Sequence, residues 1–300
     1  ATLESLFQLG YVLHAAGRVD AAGPVLAEWE RRSTGRPPRR DTLHATHLQS
    51  LGQHAEMAGR ADTTQLPAAE RYMREALAIR RELFGPRHAD VGYATQGLAS
   101  VVWRRGRVAE GDSLFRDGIA ILRAAYPDGH PDLAAAIMMH GSKLLDVGRR
   151  AEGLALLREA SIMGPRYLGE DHLMGTTYIS AYGNALRRTG DPAAAEPVLR
   201  EALARFRRQT GPASIMTTRT EIGLGDALRQ LGRMGEAETL LLGAYRRLAA
   251  ERGVRHPQTQ SALRAVVTYY DDARRPAEAA RYRALLAAPG GDRGGATVVH

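Results

Sequence analysis

The chain has 300 residues, no cysteine and a formal net charge of +8 at pH 7. The lack of cysteine excludes disulfides and thiolate chemistry and is consistent with a reducing compartment. No run approaches the roughly 18 apolar residues that a membrane-spanning helix needs, and the first residues carry no secretory signal pattern. We therefore predict a cytoplasmic protein without a membrane span.

The basic charge invites a nucleic-acid interpretation, because proteins that bind phosphate backbones carry clustered cations. Here the 41 Lys and Arg residues are interspersed with 33 Asp and Glu residues along the whole chain. A surface of mixed sign does not provide the continuous basic track that releases counterions from a nucleic acid. Binding of nucleic acid is therefore the third and least favoured hypothesis.

A turn with glycine recurs along the chain at nearly constant spacing. Its positions are Gly17, Gly59, Gly106, Gly148, Gly190 and Gly232, and Arg274 has the same register. Successive turns are 42 residues apart, except that the second and third are 47 apart. We place the insertion at 62–67 and expect it to bulge from the second turn as a loop, because surface loops tolerate added length at low cost.

Two further series of small residues keep the same register. One lies seven residues before each turn, at Gly10, Gly52, Ala99, Gly141, Gly183 and Gly225, with Val267 as the exception. The other lies five residues after each turn, allowing for the insertion, at Ala22, Ala69, Gly111, Gly153, Ala195, Ala237 and Ala279. Glycine inside a helix costs about 1 kcal/mol relative to alanine. We therefore expect the two helices of each repeat to approach closely at these residues, where a larger side chain would overpack the contact.

Apolar residues between these markers recur with helical spacing. Each repeat is predicted to contain helix A, a short Gly-Arg turn, helix B and a loop into the next repeat; in the third repeat, helix A covers 91–105 and helix B covers 109–125. No segment alternates with period two, so no strand is expected. The array should run over residues 1–288, with 289–300 as a flexible tail, and neighbouring repeats should bury a continuous core.

The first predicted helix is apolar and lacks a preceding polar cap. It carries Leu3, Leu6, Leu9, Val12 and Leu13, whereas terminal repeats are usually polar on their outer face. We therefore expect the native chain to extend upstream of Ala1.

Histidines recur at one loop position of successive repeats, at His88, His130, His172 and His256. Stacked repeats would hold them too far apart to share a metal ion. We expect them to cap the following helix A, as Asp41 and Ser214 do near equivalent positions. A second set, His44, His47 and His54, has spacing compatible with one helix face, but no carboxylate signature accompanies it and no metal site is predicted.

Catalytic motifs are missing from the sequence. There is no phosphate-binding loop, no His-Glu-x-x-His and no Gly-x-Ser-x-Gly elbow. Gly223-Leu-Gly225 lacks the third glycine of a dinucleotide-binding Gly-x-Gly-x-x-Gly motif, so we assign it to the register of small residues. Glu196 and Glu238 recur at the start of helix B, where a carboxylate favours the helix dipole. We predict no catalytic residue and no cofactor.

This pattern resembles the tetratricopeptide repeat, and the 42-residue spacing is similar to that of the kinesin-light-chain variety. That variety has a long helix B and a loop of the form Leu-Gly-x-x-His-Pro, seen here at 83–90, 126–133, 168–173 and 255–258. The resemblance covers nearly the whole chain. It implies an all-α fold, a right-handed α-solenoid superhelix of about seven helix pairs, and a non-catalytic scaffold for protein–protein interaction.

The resemblance also has departures. Kinesin light chains carry paired asparagines on helix A, where this chain has Gln49, Gln96, Met138, Ser180 and Ile222, so a role in kinesin cargo binding is not implied. Bacterial arrays of this type often follow a serine/threonine kinase or a signalling NTPase domain. The alternative hypothesis is therefore a regulatory or sensory segment of a larger bacterial signalling protein.

In this repeat class helix A lines the concave face, and the resemblance implies which side chains face the groove. They are Tyr11, Gln49, Gln53, Tyr93, Gln96, Trp103, Met138, Ser142, Ser180, Asn184, Arg187, Arg188, Asp226 and Arg229. Aromatic, amide and arginine side chains suit an extended peptide or a partner helix, and the arginines suit an acidic segment in that partner. Alternatively, the arginines complement helix C-termini and Trp103 packs against its neighbours.

Overall fold

The computed structural model describes residues 2–15, 19–33, 40–59 and 62–287. All regular secondary structure in these residues is helical, as the sequence predicts. The helices are α1 Leu3–Ala15, α2 Val19–Ser33, α3 Thr42–Ala58, α4 Leu66–Phe84, α5 Ala89–Arg104, α6 Val108–Ala125, α7 Pro131–Asp146, α8 Arg150–Leu168, α9 Leu173–Arg188, α10 Pro192–Thr210, α11 Ile215–Gln230, α12 Met234–Arg252, α13 Pro257–Asp272 and α14 Pro276–Ala287. Odd-numbered helices correspond to helix A and even-numbered helices to helix B.

The chain forms two compact units, Ala1–Ala136 and Ile137–His300, and the boundary falls within α7. In the first unit, Phe7, Leu26 and Tyr72 belong to one apolar cluster and Met73 and Leu98 to the next. In the second unit, one cluster runs through the helices from α9 to α14. Each unit therefore buries apolar residues between successive helices, as expected for stacked repeats.

The small residues in the middle of helix A allow close contact with helix B of the same repeat. A Cβ atom added at Gly183 would lie 2.8 Å from Cγ of Leu199, and one at Gly225 would lie 2.8 Å from Cγ of Leu241. Such distances are too short for carbon atoms to share without displacement. The predicted reason for the glycine register is confirmed at these helix pairs.

Four of the turn glycines have a backbone conformation that other residues rarely adopt, whereas Gly59 has an ordinary φ of −62°. Gly106, Gly148, Gly190 and Gly232 have φ between 75° and 96°, and Arg274 has a φ of 55° in the same register. Left-handed backbone of this kind brings a Cβ close to the carbonyl oxygen, a strain that glycine avoids. Gly17 and the segment 289–300, predicted as a tail, lie outside the described residues.

The insertion at 62–67 differs from the expected loop. Asp62 caps a short 3-10 helix, Thr63–Gln65, and α4 then begins at Leu66. Leu66 is buried and packs on Gly59, where an added Cβ would lie 2.6 Å from Cδ2 of Leu66. Residues 62–65 are exposed, as in a bulging segment, but the insertion is not a simple loop, because the apolar side chain of Leu66 closes the end of the hairpin.

The recurring histidines cap helix A as predicted. Nδ1 of the histidine accepts a hydrogen bond from the backbone N–H two residues later, at 3.2–3.3 Å, in His88, His130, His172 and His256. Asp41 and Ser214 cap α3 and α11 by accepting from the backbone N–H three residues later. Stacking of Tyr126 on His130, with ring centroids 4.0 Å apart, fixes one of these imidazoles.

The first helix also has a polar cap, contrary to the sequence prediction. Oγ1 of Thr2 accepts a hydrogen bond from the backbone N–H of Ser5 at 3.1 Å. Thr2 thus satisfies one of the free donors that begin a helix.

Ion pairs between repeats explain the Gly-Arg turn. Arg107 in a turn donates to Glu70 of the preceding helix B, and Arg233 donates to Glu196 and Arg275 to Glu238 in the same relation. Glu196 and Glu238, which were expected to interact with the helix dipole, therefore also form ion pairs with the arginine of the next turn. Burial raises the pKa of Glu70, but hydrogen bonds from Arg107, Arg74 and Arg105 outweigh it and lower the pKa to about 2.

None of the helices in the described part of the chain is long and apolar enough to cross a membrane.

Candidate functional site

A cleft of about 390 Å³ lies in the second unit, among α7, α8, α9, α10 and α11. Five of the residues predicted to face a groove line it: Ser142, Ser180, Asn184, Arg187 and Arg188. Leu157 of α8 and Phe206 of α10 form its buried floor. The three helices A thus supply the polar wall, while the two helices B supply the apolar base.

Nine further lining residues were not predicted from the sequence, among them Thr177, Met216, Arg219 and Thr220. Thr177 and Arg219 occupy the register of Tyr93, which was predicted to face the groove, two and three repeats later. Extending that register along the chain identifies both residues. Thr220 lies at a different position of helix A, and no signal in the sequence identifies it.

A network of hydrogen bonds orients the amide of Asn184. Its Nδ2 donates to the backbone carbonyl of Ser180 at 2.9 Å. The hydroxyl of Ser180 lies 3.1 Å from that of Thr220, and Thr220 donates to the carbonyl of Met216 at 2.9 Å. The network ties the side chains of α9 to those of α11 and gives the cleft wall a defined polar pattern.

Gly223 has a different role from the one assigned by the register of small residues. A Cβ at this position would collide with Oδ1 of Asn184 in the neighbouring helix A, not with helix B of its own repeat. Gly223 therefore makes room for the amide at the cleft wall, whereas Gly225 makes room for helix B.

The arginines predicted to bind an acidic partner differ in their availability. Arg187 donates to Asp226, and Arg229 donates to both Asp226 and Asp272. Arg188 faces Asp146 at 3.4 Å, and both of these side chains are more than half exposed. Arg187 and Arg229 are thus engaged within the protein, whereas Arg188 is held only by an exposed pair of the weak kind.

Arg219 is the cation with the greatest freedom in the cleft. Its side chain is exposed, and no ion-pair partner is found for it within the described ranges. The described residues that line the cleft include three arginines, an asparagine and four hydroxyl side chains, but no aspartate or glutamate. The lining is therefore rich in hydrogen-bond donors and positive in charge.

Three residues of the first unit do not face a groove, contrary to prediction. Gln49 and Gln96 are buried, and Nε2 of Gln96 donates to the carbonyl of Phe115 at 2.9 Å. Trp103 is buried edge-to-face against Phe115 at 6.0 Å. Gln96 and Trp103 contact helix B of the same repeat, and all three side chains are buried, so they are not available to a partner.

Five of the other predicted residues lie outside the lining of the cleft. Tyr93 is exposed, and Gln53 and Met138 are half-buried, but none of the three lines the cleft. Asp226 and Arg229 adjoin the cleft through their ion pairs with Arg187 and with each other. The side chain of Tyr11 lies outside the described residues.

Of the three histidines on α3, His47 is buried in the core of the first unit, whereas His44 and His54 are half-buried. His47 stacks on Phe7 and meets the edge of Trp29, with ring centroids 5.1 Å apart in the second pair. Burial lowers the pKa of His47 to about 4. No group of three His, Asp or Glu side chains in the described residues has a geometry suited to a metal ion.

The fold and the cleft define an all-helical repeat protein with a polar wall on helix A. The sequence pattern of the tetratricopeptide repeat matches residues 62–90 and 177–213, and the second segment covers most of α9 and α10, which line the cleft. Over the described residues the helical array has the fold of tetratricopeptide-repeat proteins, including those with kinesin-light-chain-like repeats, as the 42-residue spacing predicts.

Solved structures with the same fold include bacterial and eukaryotic repeat proteins. The apo form of RapI is 12% identical, with a TM-score of 0.68 over 95% of this chain and 96% of that one. Kinesin-light-chain-type repeats from Podosopora anserina are 19% identical, with a TM-score of 0.59 over 70% and 98%. NprR in complex with its cognate peptide NprX is 12% identical, with a TM-score of 0.59 over 94% and 77%. At these identities the likeness concerns the fold, and no curated protein matches the chain in sequence.

Proposed function

We propose that the chain is a non-catalytic protein-interaction scaffold that binds an extended segment of a partner in the cleft of the second unit. The observation that carries this proposal is the lining of the cleft, where Asn184, Arg188 and Arg219 stand above an apolar floor. An oriented amide suits the backbone of an extended peptide, and arginines suit its acidic groups.

The fold gives the proposal further support. NprR, which shares the fold, has been solved with a peptide bound, and the tetratricopeptide repeat is generally a non-catalytic scaffold. A protein of this kind would act by holding its partner, with the lining of the cleft supplying specificity and the packed helices of the second unit supporting it.

A charge-reversal experiment tests the location of the site. Peptides are first selected on the full chain from a displayed library of random extended sequences, and their affinities are measured by calorimetry. The variant Arg188→Glu with Arg219→Glu should lose at least about tenfold in affinity, since a charged contact at a binding centre is worth roughly 1.4 kcal/mol or more. Helicity and Tm should stay close to the parent, because both side chains are exposed.

The matched control is Arg208→Glu with Arg246→Glu, which reverses the same number of charges on helices α10 and α12 outside the cleft. It should bind the selected peptides as the parent does. Equal loss of affinity in both double variants would show that net charge, not the cleft, determines binding.

A further inference from the structure

One position of helix A holds a neutral amide in one repeat and a carboxylate in the next. Asn184 on α9 and Asp226 on α11 have the same register, 42 residues apart. Asn184 lines the cleft as a neutral amide. Asp226 instead places a half-buried carboxylate beside the arginines at the ends of α9 and α11.

The carboxylate of Asp226 is fully engaged with these arginines. Its Oδ1 accepts from Nε and Nη2 of Arg229 at 2.9 and 2.7 Å, and its Oδ2 accepts from Nη1 of Arg187. Gln230 donates to Oδ2 as well, at 3.1 Å. About a fifth of the Arg187 and Asp226 side chains is exposed, so water competes little for the pair and the contact is stronger than a surface ion pair.

The net charge of the cleft follows from these ion pairs. Arg187 and Arg229 are balanced by Asp226 and Asp272 within one network. Arg188 and Asp146 form a separate pair that is exposed and long, at 3.4 Å, and a ligand can exchange with Asp146 at little cost. Only Arg219 adds a charge that no described acid balances, so the cleft presents about one net positive charge.

We propose that Asp226 is an internal counter-ion that withholds Arg187 and Arg229 from ligands. The cleft therefore takes a segment with a single carboxylate, which Arg188 and Arg219 bind. This inference rests on the proposed function and narrows it. A run of acidic residues would need the cations that Asp226 has already neutralised, whereas one carboxylate matches the charge that remains.

The orientation of Arg187 agrees with this role. Arg187 lines the cleft, yet its Nη1 is directed to Asp226 and its Nε is buried without a hydrogen-bond partner in the described residues. A guanidinium placed to bind a ligand would direct its planar fork, including Nε, toward the carboxylate. The ion pair with Asp226 thus sets the orientation of the Arg187 guanidinium.

The test is a titration of the full-length chain with sodium acetate, observed through the Nε–Hε resonances of its arginines by NMR and compared with sodium chloride at equal ionic strength. Acetate should shift the resonances of Arg188 and Arg219 and leave those of Arg187 and Arg229 unchanged. In Asp226→Asn, the resonances of Arg187 and Arg229 should respond as well. Asp272→Asn is the control, because it removes one partner of Arg229 but leaves Arg187 paired.

A second comparison measures how many carboxylates the cleft takes. Propane-1,2,3-tricarboxylate should bind the parent no more than a few-fold more tightly than acetate, whereas in Asp226→Asn the ratio should rise about tenfold, equivalent to roughly 1.4 kcal/mol. N-acetylglycine and the α-amide of N-acetylglutamate then distinguish a C-terminal carboxylate from a side-chain carboxylate.

A response of Arg187 in the parent equal to that of Arg219 would overturn the proposal, as would an unchanged response in Asp226→Asn. The parent titration decides the question even if Asp226→Asn does not fold. If selected peptides still lose affinity in the Arg188→Glu, Arg219→Glu variant, the proposed function stands and only the role of Asp226 is lost.

Discussion

Single side chains in this protein carry out tasks that depend on the neighbouring repeat. The histidine that begins four of the A helices accepts from the backbone with Nδ1, as in His172, and the arginine of a turn such as Arg233 donates to a glutamate of the preceding helix B. Both residue types recur at fixed register because the same local contact recurs. Departures from the register, such as Arg274 in place of the turn glycine, therefore indicate where a contact has changed.

Replacing Arg274 by glycine should stabilise the protein. Arg274 has a φ of 55°, in the left-handed region where the same turn elsewhere has glycine. A side chain in this region costs roughly 1–2 kcal/mol, although the more flexible unfolded chain offsets part of the gain. We expect a gain of about 1 kcal/mol in the free energy of unfolding, measured by denaturant titration.

The reverse change, Gly232→Arg, should destabilise the protein by a similar amount at a turn whose φ is 75°. An unchanged stability in both variants would show that these turns adjust their backbone without strain.

His47 should make the first unit sensitive to acid. Burial lowers the pKa of His47 to about 4; Glu4 and Asp41 act in the opposite direction and His44 in the same direction. The folded state holds the imidazole neutral, while the unfolded state binds a proton near pH 6.5. Stability is therefore complete above about pH 6.5 and falls as the pH drops toward 4, by up to roughly 3 kcal/mol.

The measurement is denaturation followed by tryptophan fluorescence, since both tryptophans, Trp29 and Trp103, lie in the first unit. His47→Leu removes the titrating group and leaves the other histidines in place. The difference between the two pH profiles should reproduce the loss between pH 6.5 and 4. Parallel profiles would contradict the assignment of His47.

At the scale of helices, close packing depends on which side chain occupies the space that a glycine leaves open on the neighbouring helix. Glycine at 183 and 225 admits a leucine of helix B, whereas glycine at 223 admits the amide of Asn184. The insertion shows the same principle at a hairpin end, where Leu66 covers Gly59. Packing at these points, not helix propensity, fixes how the helices meet.

Leu66→Ala should destabilise the first unit markedly. The side chain is buried, so its removal loses apolar contact and leaves a cavity, and such changes cost about 2–5 kcal/mol. Thr63→Ala in the adjacent 3-10 helix, which is exposed, should cost less than about 0.5 kcal/mol. Tryptophan fluorescence during urea unfolding measures both. Equal effects would show that the whole insertion is loosely held.

For the whole molecule, the net charge of +8 is a poor guide to partners. Arginines in the turns and on helix B pair with acids of neighbouring repeats, as in the contacts of Glu70, Glu196 and Glu238. The basic side chains therefore serve largely as internal ties. The cleft, where acids are lacking among the described lining residues, has a charge pattern different from that of the molecule as a whole.

We expect duplex DNA to bind only weakly and without dependence on the cleft. Fluorescence anisotropy with a labelled duplex should give binding at low salt that disappears near physiological ionic strength, because few phosphates are contacted at once. Arg188→Glu with Arg219→Glu and the control Arg208→Glu with Arg246→Glu should weaken it equally. Tight binding at physiological salt that only the cleft variant removes would favour a nucleic-acid ligand instead.

The sequence by itself determined the repeat, the bounds of one helix pair and the caps of the A helices after the first. These features depend on local rules: glycine at a left-handed turn, a polar acceptor at a helix start and apolar residues at helical spacing. The predicted helices 91–105 and 109–125 agree with α5 and α6 to within two residues for this reason. The resemblance to the tetratricopeptide repeat, carried over position by position, predicted that Ser142, Ser180 and Asn184 face a groove, and all three line the cleft.

Only the tertiary structure decided which members of the register are available to a partner. Trp103, Arg187 and Arg229 share one position, yet Trp103 is buried against Phe115 while the arginines reach Asp226. Arg219, which was not selected from the sequence, is the free cation of the cleft within the described residues. Whether such a side chain is available depends on its length and on the residues that it meets in adjacent repeats. Those residues are about 40 positions away in the sequence, so a local pattern does not encode the contact.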